Sequence, residues 1–159
     1  MHEAGVPEKV LQFLPGDGAT VGAALTKDPR VAGVCFTGST ETAWAINRSL
    51  AARNAQIATL IAETGGQNAL IADSSALPEQ LVKDAITAAF DSAGQRCSAA
   101  RILFVQSDIA DKVIHMLSGA MDELRIGNPM CFDTDIGPVI SVSARDELYR
   151  HSKRMDHEA

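Results

Sequence analysis

The chain has 159 residues, with 14 Lys+Arg against 20 Asp+Glu and a formal net charge of −6, which is enough for one ordinary domain or for parts of two. A hydrophobic fraction of 46% excludes a disordered chain. Net negative charge without any Lys/Arg cluster speaks against nucleic acid as a partner. No apolar run reaches the ~20 residues of a transmembrane helix, and Met1-His2-Glu3-Ala4-Gly5 has neither the basic end nor the apolar stretch of a secretory signal.

Residues 1–5 read as the last turn of a helix, with Gly5 at C′ and Pro7 just beyond. Residues 10–14 are a short apolar strand stopped by Pro15-Gly16-Asp17-Gly18, and a small-residue helix over 19–27 follows. Residues 31–37 are β-branched and apolar, the pattern of a buried strand. Gly38-Ser39-Thr40 opens a helix through about Arg53, with Ser39 or Thr40 as the N-cap. Residues 56–62 form another buried strand. Strand and helix alternating in this way predict an α/β fold with a parallel sheet and helical crossovers.

Glu63-Thr64-Gly65-Gly66 breaks the rhythm before a short strand over 68–72. Pro78 suits the first turn of the next helix, whose positions Leu81, Val82, Ala85, Ile86, Ala89 and Phe90 share one apolar face and which ends near Gly94. A strand over 101–105 precedes an amphipathic helix marked by Val113, Ile114, Leu117, Met121 and Leu124, stopped by Gly127-Asn128-Pro129. From Ala144 the pattern is helical but polar. The helix end at the start and the uncapped helix at the finish lead us to expect an internal slice of a larger protein, with an open apolar sheet edge.

Cys35, Cys97 and Cys131 are odd in number and form no CxxC pair, so neither a disulfide framework nor a zinc site is expected, and a reducing, cytoplasmic compartment fits. His2, His115, His151 and His157 read as solvated or core residues, and no metal is expected. Cys35, inside a strand, reads as a small core hydrophobe. Cys131 stays an undecided loop residue.

Four places can carry chemistry, each with a plainer alternative. Gly16-Asp17-Gly18-Ala19-Thr20-Val21-Gly22 is one residue off a dinucleotide fingerprint, and by residue type it reads first as a tight strand-to-helix turn. Phe36-Thr37-Gly38-Ser39-Thr40 puts a glycine and two hydroxyls at a helix N-terminus, which suits a phosphate or simple capping. Glu63, at the end of an apolar strand, is either a general base or a solvated turn residue. Cys97 follows Gly94-Gln95-Arg96, where the neighbouring guanidinium favours a thiolate; the alternative is an inert thiol.

Together these motifs resemble the aldehyde dehydrogenase superfamily: Gly16-Asp17-Gly18, Phe36-Thr37-Gly38-Ser39-Thr40, Glu63-Thr64-Gly65-Gly66-Gln67-Asn68 and Gly94-Gln95-Arg96-Cys97 occur in its order over essentially the whole chain. With Asp133-Thr134-Asp135-Ile136-Gly137-Pro138-Val139 downstream, the chain is most similar to the Δ1-pyrroline-5-carboxylate dehydrogenases, and among them to the dehydrogenase modules of bacterial bifunctional proline-utilisation proteins. The resemblance implies a partial Rossmann-like parallel sheet over residues 1–64, the back half of an NAD-binding domain. It implies that 65–159 begin the α/β catalytic domain.

The resemblance further implies that Cys97 is the nucleophile and Glu63 the base that activates water, with NAD as cofactor. It places Gly38, Ser39 and Thr64 on the cofactor, Gly18 near its adenosine end and Ser98 near the substrate carboxylate. It implies a small aldehyde as substrate and a homo-oligomeric parent. The chain departs from the pattern at Ala43, where the family often has glycine. It also carries no counterpart of the family's upstream oxyanion-hole asparagine, adenosine-ribose lysine or later ribose-binding glutamate. The rival readings are an aldehyde dehydrogenase for another semialdehyde, such as succinate semialdehyde, and a catalytically silent fragment or interaction module.

Overall fold

Val34, Cys35, Phe36 and Thr37 favour extended backbone, and in the computed structural model, which describes residues 1–158, they form strand β1 (Gly33–Gly38). The helix α2 (Thr40–Ala51) follows at once, because the Ser39 hydroxyl accepts the Thr42 N–H at 3.1 Å and caps it. The chain returns in strand β2 (Thr59–Thr64). β1 and β2 pair in parallel, Gly33 opposite Thr59 and Gly38 opposite Thr64, so the segment is a β–α–β crossover. It belongs to the first of two compact units, Met1–Gly65; the second is Gly66–Ala159.

Within the first unit α2 packs on β1 and β2, covering the face that carries Val34 and Leu60. The opposite face, with the paired Cys35 and Ile61, stays exposed. Both strands were expected to be buried on two sides, as parallel strands between helices are. Only one side is covered among the described residues, so Cys35 is an exposed thiol and not a core hydrophobe.

Residues 10–14 are also corrected. They form no strand, and Phe13 is 91% exposed. An apolar run becomes a strand only by exchanging hydrogen bonds with a neighbour, and this one has no ladder. The N-terminal turn does hold: a 3-10 turn over His2–Ala4 is closed by Gly5 at φ 91°. The helix expected at 19–27 is observed as a π-helical turn, Gly18–Gly22, running into α1 (Ala23–Lys27). Arg53 ties the unit together, its Nη1 donating to the carbonyls of Asp28 at 2.7 Å and Val31 at 2.8 Å.

The second unit repeats the scheme. Strand β3 (Asn68–Ala72) is followed by α3 (Pro78–Phe90), with Pro78 in its first turn as expected, and then by β4 (Ala100–Val105) parallel to β3. Helix α4 (Ser107–Asp122) packs against α3. The core joins Leu70 and Ala72 of β3, Leu103 and Val105 of β4, Leu81 and Val82 of α3, and Val113 of α4. On the reverse face Ile71 and Phe104 are register partners and are 78% and 54% exposed, so the exposed apolar surface is a sheet face, whereas the sequence led us to expect an open edge. A largely exposed helix, α5 (Val142–Glu158), is the last element of the described residues.

Val113 is the largest fully buried side chain among the described residues, at 1% exposure. Val113→Ala is expected to cost about 1–3 kcal/mol, from lost transfer energy plus the cavity left behind. Urea unfolding of the wild-type and substituted chains checks it through the shift in midpoint.

Candidate active site

In the first unit the parallel register gathers four of the expected residues at one strand end. Gly38 pairs with Thr64 and Thr37 with Glu63, with Ser39 next in sequence. Glu63 is exposed and Thr64 half-buried. Open α/β sheets bind ligands beyond the carboxyl ends of their strands, and this is that end of both β1 and β2. Ser39 caps α2 with its hydroxyl, while the first turn leaves the N–H groups of Thr40 and Glu41 without partners inside the helix.

Gly18 sits apart from these residues in the chain, at the start of the π-helical turn. Asp17 caps that turn, taking the Thr20 N–H at 2.8 Å and the Thr20 hydroxyl at 3.0 Å. These bonds, the hydroxyl's first, hold its carboxyl below the usual aspartate range. A Cβ on Gly16 would run into the Val21 side chain, whereas one on Gly18 would meet nothing within 4 Å. The glycine that this turn requires for packing is therefore Gly16, and capping accounts for Asp17.

Cys97 belongs to the second unit and is exposed, as is Ser98, while the following Ala99 is completely buried. The approach to Cys97 is unusual. After α3 the chain makes a left-handed turn in which Ser92, Ala93 and Gly94 have φ of 56°, 53° and 67°. Positive φ is rare for serine and alanine and costs of the order of 1 kcal/mol or more per residue, so surrounding bonds must over-determine it.

They do. Gln95 donates through Nε2 to the Ser92 carbonyl at 3.0 Å and accepts the Ile140 N–H at 2.7 Å. Arg96, which adjoins the thiol in sequence, directs its Nη2 to the Thr87 carbonyl at 3.3 Å and pairs with Asp91 at 3.6 Å. Arg101 donates to the carbonyls of Gly94 at 2.9 Å and Arg96 at 3.3 Å. Asn68 donates through Nδ2 to the carbonyls of Cys97 at 2.6 Å and Ala99 at 3.0 Å.

Residue type alone does not mark Asn68, Arg101 or Gln95 for a role. Arg101 is placed by a bulge: Asn68 pairs with Ala100 and Ala69 with Ile102, so Arg101 is the extra residue on β4. Bulges re-aim a side chain in this manner. The signal in the sequence was a polar side chain at each N-terminal strand edge, Asn68 before Ala69-Leu70-Ile71 and Arg101 before Ile102-Leu103-Phe104.

The aldehyde dehydrogenase family model matches residues 1–159. The chain belongs to the aldehyde dehydrogenase family. It is 57% identical over 156 residues to the bifunctional protein PutA of Escherichia coli, covering 96% of this chain and 12% of that protein. It is 34% identical over 151 residues to the 1-pyrroline-5-carboxylate dehydrogenase of Bacillus mycoides, covering 93% of this chain and 29% of that one. A betaine aldehyde dehydrogenase of Staphylococcus aureus, solved in complex with NAD+, superposes with a TM-score of 0.92 at 30% identity, covering 99% of this chain and 31% of that one. The chain thus spans only a small part of these family members.

Gly94 combines a φ of +67° with a Cβ position 2.9 Å from the Ala89 carbonyl oxygen. Gly94→Ala is expected to destabilise the second unit by about 1–2 kcal/mol. Denaturant titration followed by near-ultraviolet signals checks it, and an unchanged midpoint would contradict the reading of the turn.

Proposed function

We propose that this chain supplies the nucleophile and the base of an NAD+-dependent aldehyde dehydrogenase acting on glutamate γ-semialdehyde, the open form of 1-pyrroline-5-carboxylate, in proline breakdown. The observation that carries the reading is the exposed Cys97, held on a loop whose carbonyls are bonded by side chains on either flank. The likeness to a 1-pyrroline-5-carboxylate dehydrogenase over 93% of the chain supports the substrate.

Cys97 adds as thiolate to the aldehyde carbon, forming the C–S bond and a hemithioacetal oxyanion. Its own peptide N–H is one donor to that oxyanion. The first unit would hold NAD+, which would supply the hydride acceptor for the oxidation that leaves the acyl group on the Cys97 sulfur as a thioester. Glu63 then takes a proton from water, whose oxygen attacks the thioester carbon; the C–S bond breaks, glutamate leaves and the thiol is restored. Ser98, next to the nucleophile, contacts the substrate's carboxylate.

The residues present fit a dinucleotide at one place. The unpartnered N–H groups in the first turn of α2, with Gly38 and Ser39 beside them and Thr64 across the register, suit a pyrophosphate. Gly18 lies toward the adenosine end in this reading. In this reading the parent is a homo-oligomer of the cytoplasm.

NADH formation tests the proposal. This chain would replace the matching stretch of the Escherichia coli PutA, and the graft would be offered glutamate γ-semialdehyde and succinate semialdehyde. The graft is expected to prefer the first, and Cys97→Ala to lower its rate at least about a thousandfold. Faster turnover of succinate semialdehyde would overturn the substrate, and full activity of Cys97→Ala would overturn the mechanism.

A further inference from the structure

A peptide bond is planar and trans, so each carbonyl fixes the direction of the N–H on the same plane. The plane before Cys97 carries the Arg96 carbonyl and the Cys97 N–H. The plane after it carries the Cys97 carbonyl and the Ser98 N–H. Arg101 Nη2 holds the first carbonyl at 3.3 Å, aided by the Ala99 N–H at 3.1 Å. Asn68 Nδ2 holds the second at 2.6 Å and reaches Ala99 at 3.0 Å.

We infer that Asn68 and Arg101 are positioning residues that lock the two peptide planes flanking Cys97, and so aim both its side chain and its backbone N–H. The inference rests on the reading of Cys97 as nucleophile. Four observations converge on it. Both partners of the Asn68 amide nitrogen are carbonyls. The bonds from Arg101 are charge-assisted, and its cation polarises the Arg96 peptide so that the Cys97 N–H becomes a stronger donor. The β4 bulge gives Arg101 its aim. The left-handed turn over residues 92–94 stores strain that the loop would release if it were let go. Arg101 holds that turn as well, through the Gly94 carbonyl at 2.9 Å.

Two reagents separate aiming from mere folding, and neither needs NAD+ or an aldehyde. Alkylation by iodoacetamide displaces iodide from carbon and develops no oxyanion. Acylation by p-nitrophenyl acetate forms a C–S bond through a tetrahedral oxyanion and releases p-nitrophenolate. Both rates are read on this chain, cysteine by cysteine, by peptide mass spectrometry, with Cys35 and Cys131 as internal references. Asn68→Ala and Arg101→Met are expected to slow acylation at Cys97 about tenfold more than alkylation there. Arg101→Lys, which keeps charge and one donor group, is expected to recover most of the loss.

Equal changes in the two rates, or an unchanged acylation rate, would overturn the inference. So would acylation of Cys97 no faster than that of Cys35 and Cys131 in the wild type. Asn68→Ser and Arg101→Lys give the same comparison should the truncating variants lose their fold. Failure of the graft to form NADH would count against the proposed reaction and leave this comparison readable.

Discussion

The second unit depends on the register between β3 and β4. Asn68 stands opposite Ala100, and the slip that follows sets Leu70 opposite Leu103 and Ala72 opposite Val105. Those four side chains therefore share the face on which α3 and α4 pack. A different slip would turn them outward. The same register brings the Asn68 amide to the loop after Arg96, and the residue left over by the slip is Arg101. Burial of one apolar face and restraint of one loop are thus two results of a single pairing. Breaking the pair would expose the core and release Cys97 together.

The cost of that arrangement is visible in the backbone. Ser92 and Ala93, on the approach to Cys97, adopt a conformation suited to glycine or asparagine. Strained backbone persists where neighbours hold it, and here the holding groups are Gln95, Arg96 and Arg101. In the first unit the corresponding constraint is milder. A Ser39 cap and a parallel pair bring Gly38 and Thr64 side by side, with no unusual dihedral angle needed.

Much of the fold was legible in the sequence because local physics decides it. Residues 68–72 and 101–105 were strands by composition, Pro78 began a helix because its missing N–H costs nothing there, and Leu81, Val82 and Val113 were core by spacing. The failures share a cause. Residues 10–14 have a strand's composition but no ladder, and Cys35 has a core residue's setting but no second layer over it. Composition reports what a segment tolerates, whereas burial and pairing depend on what lies beside it. The loop's restraints were invisible for the same reason: Asn68 acts across 29 to 31 residues of chain, and neither serine nor alanine advertises a left-handed turn. Motif order, by contrast, identified the family without help from the coordinates.

In the proposed reaction Cys97 carries the acyl group that Glu63 later helps to release. Peptide mass spectrometry tests it most directly. The Escherichia coli PutA graft bearing Glu63→Gln would be mixed with glutamate γ-semialdehyde and NAD+ and quenched in acid. The expected result is an acyl adduct on the Cys97 peptide, with a single-turnover yield of NADH and no adduct on Cys35 or Cys131. An adduct on either of those cysteines, or steady turnover with Cys97 unmodified, would contradict it.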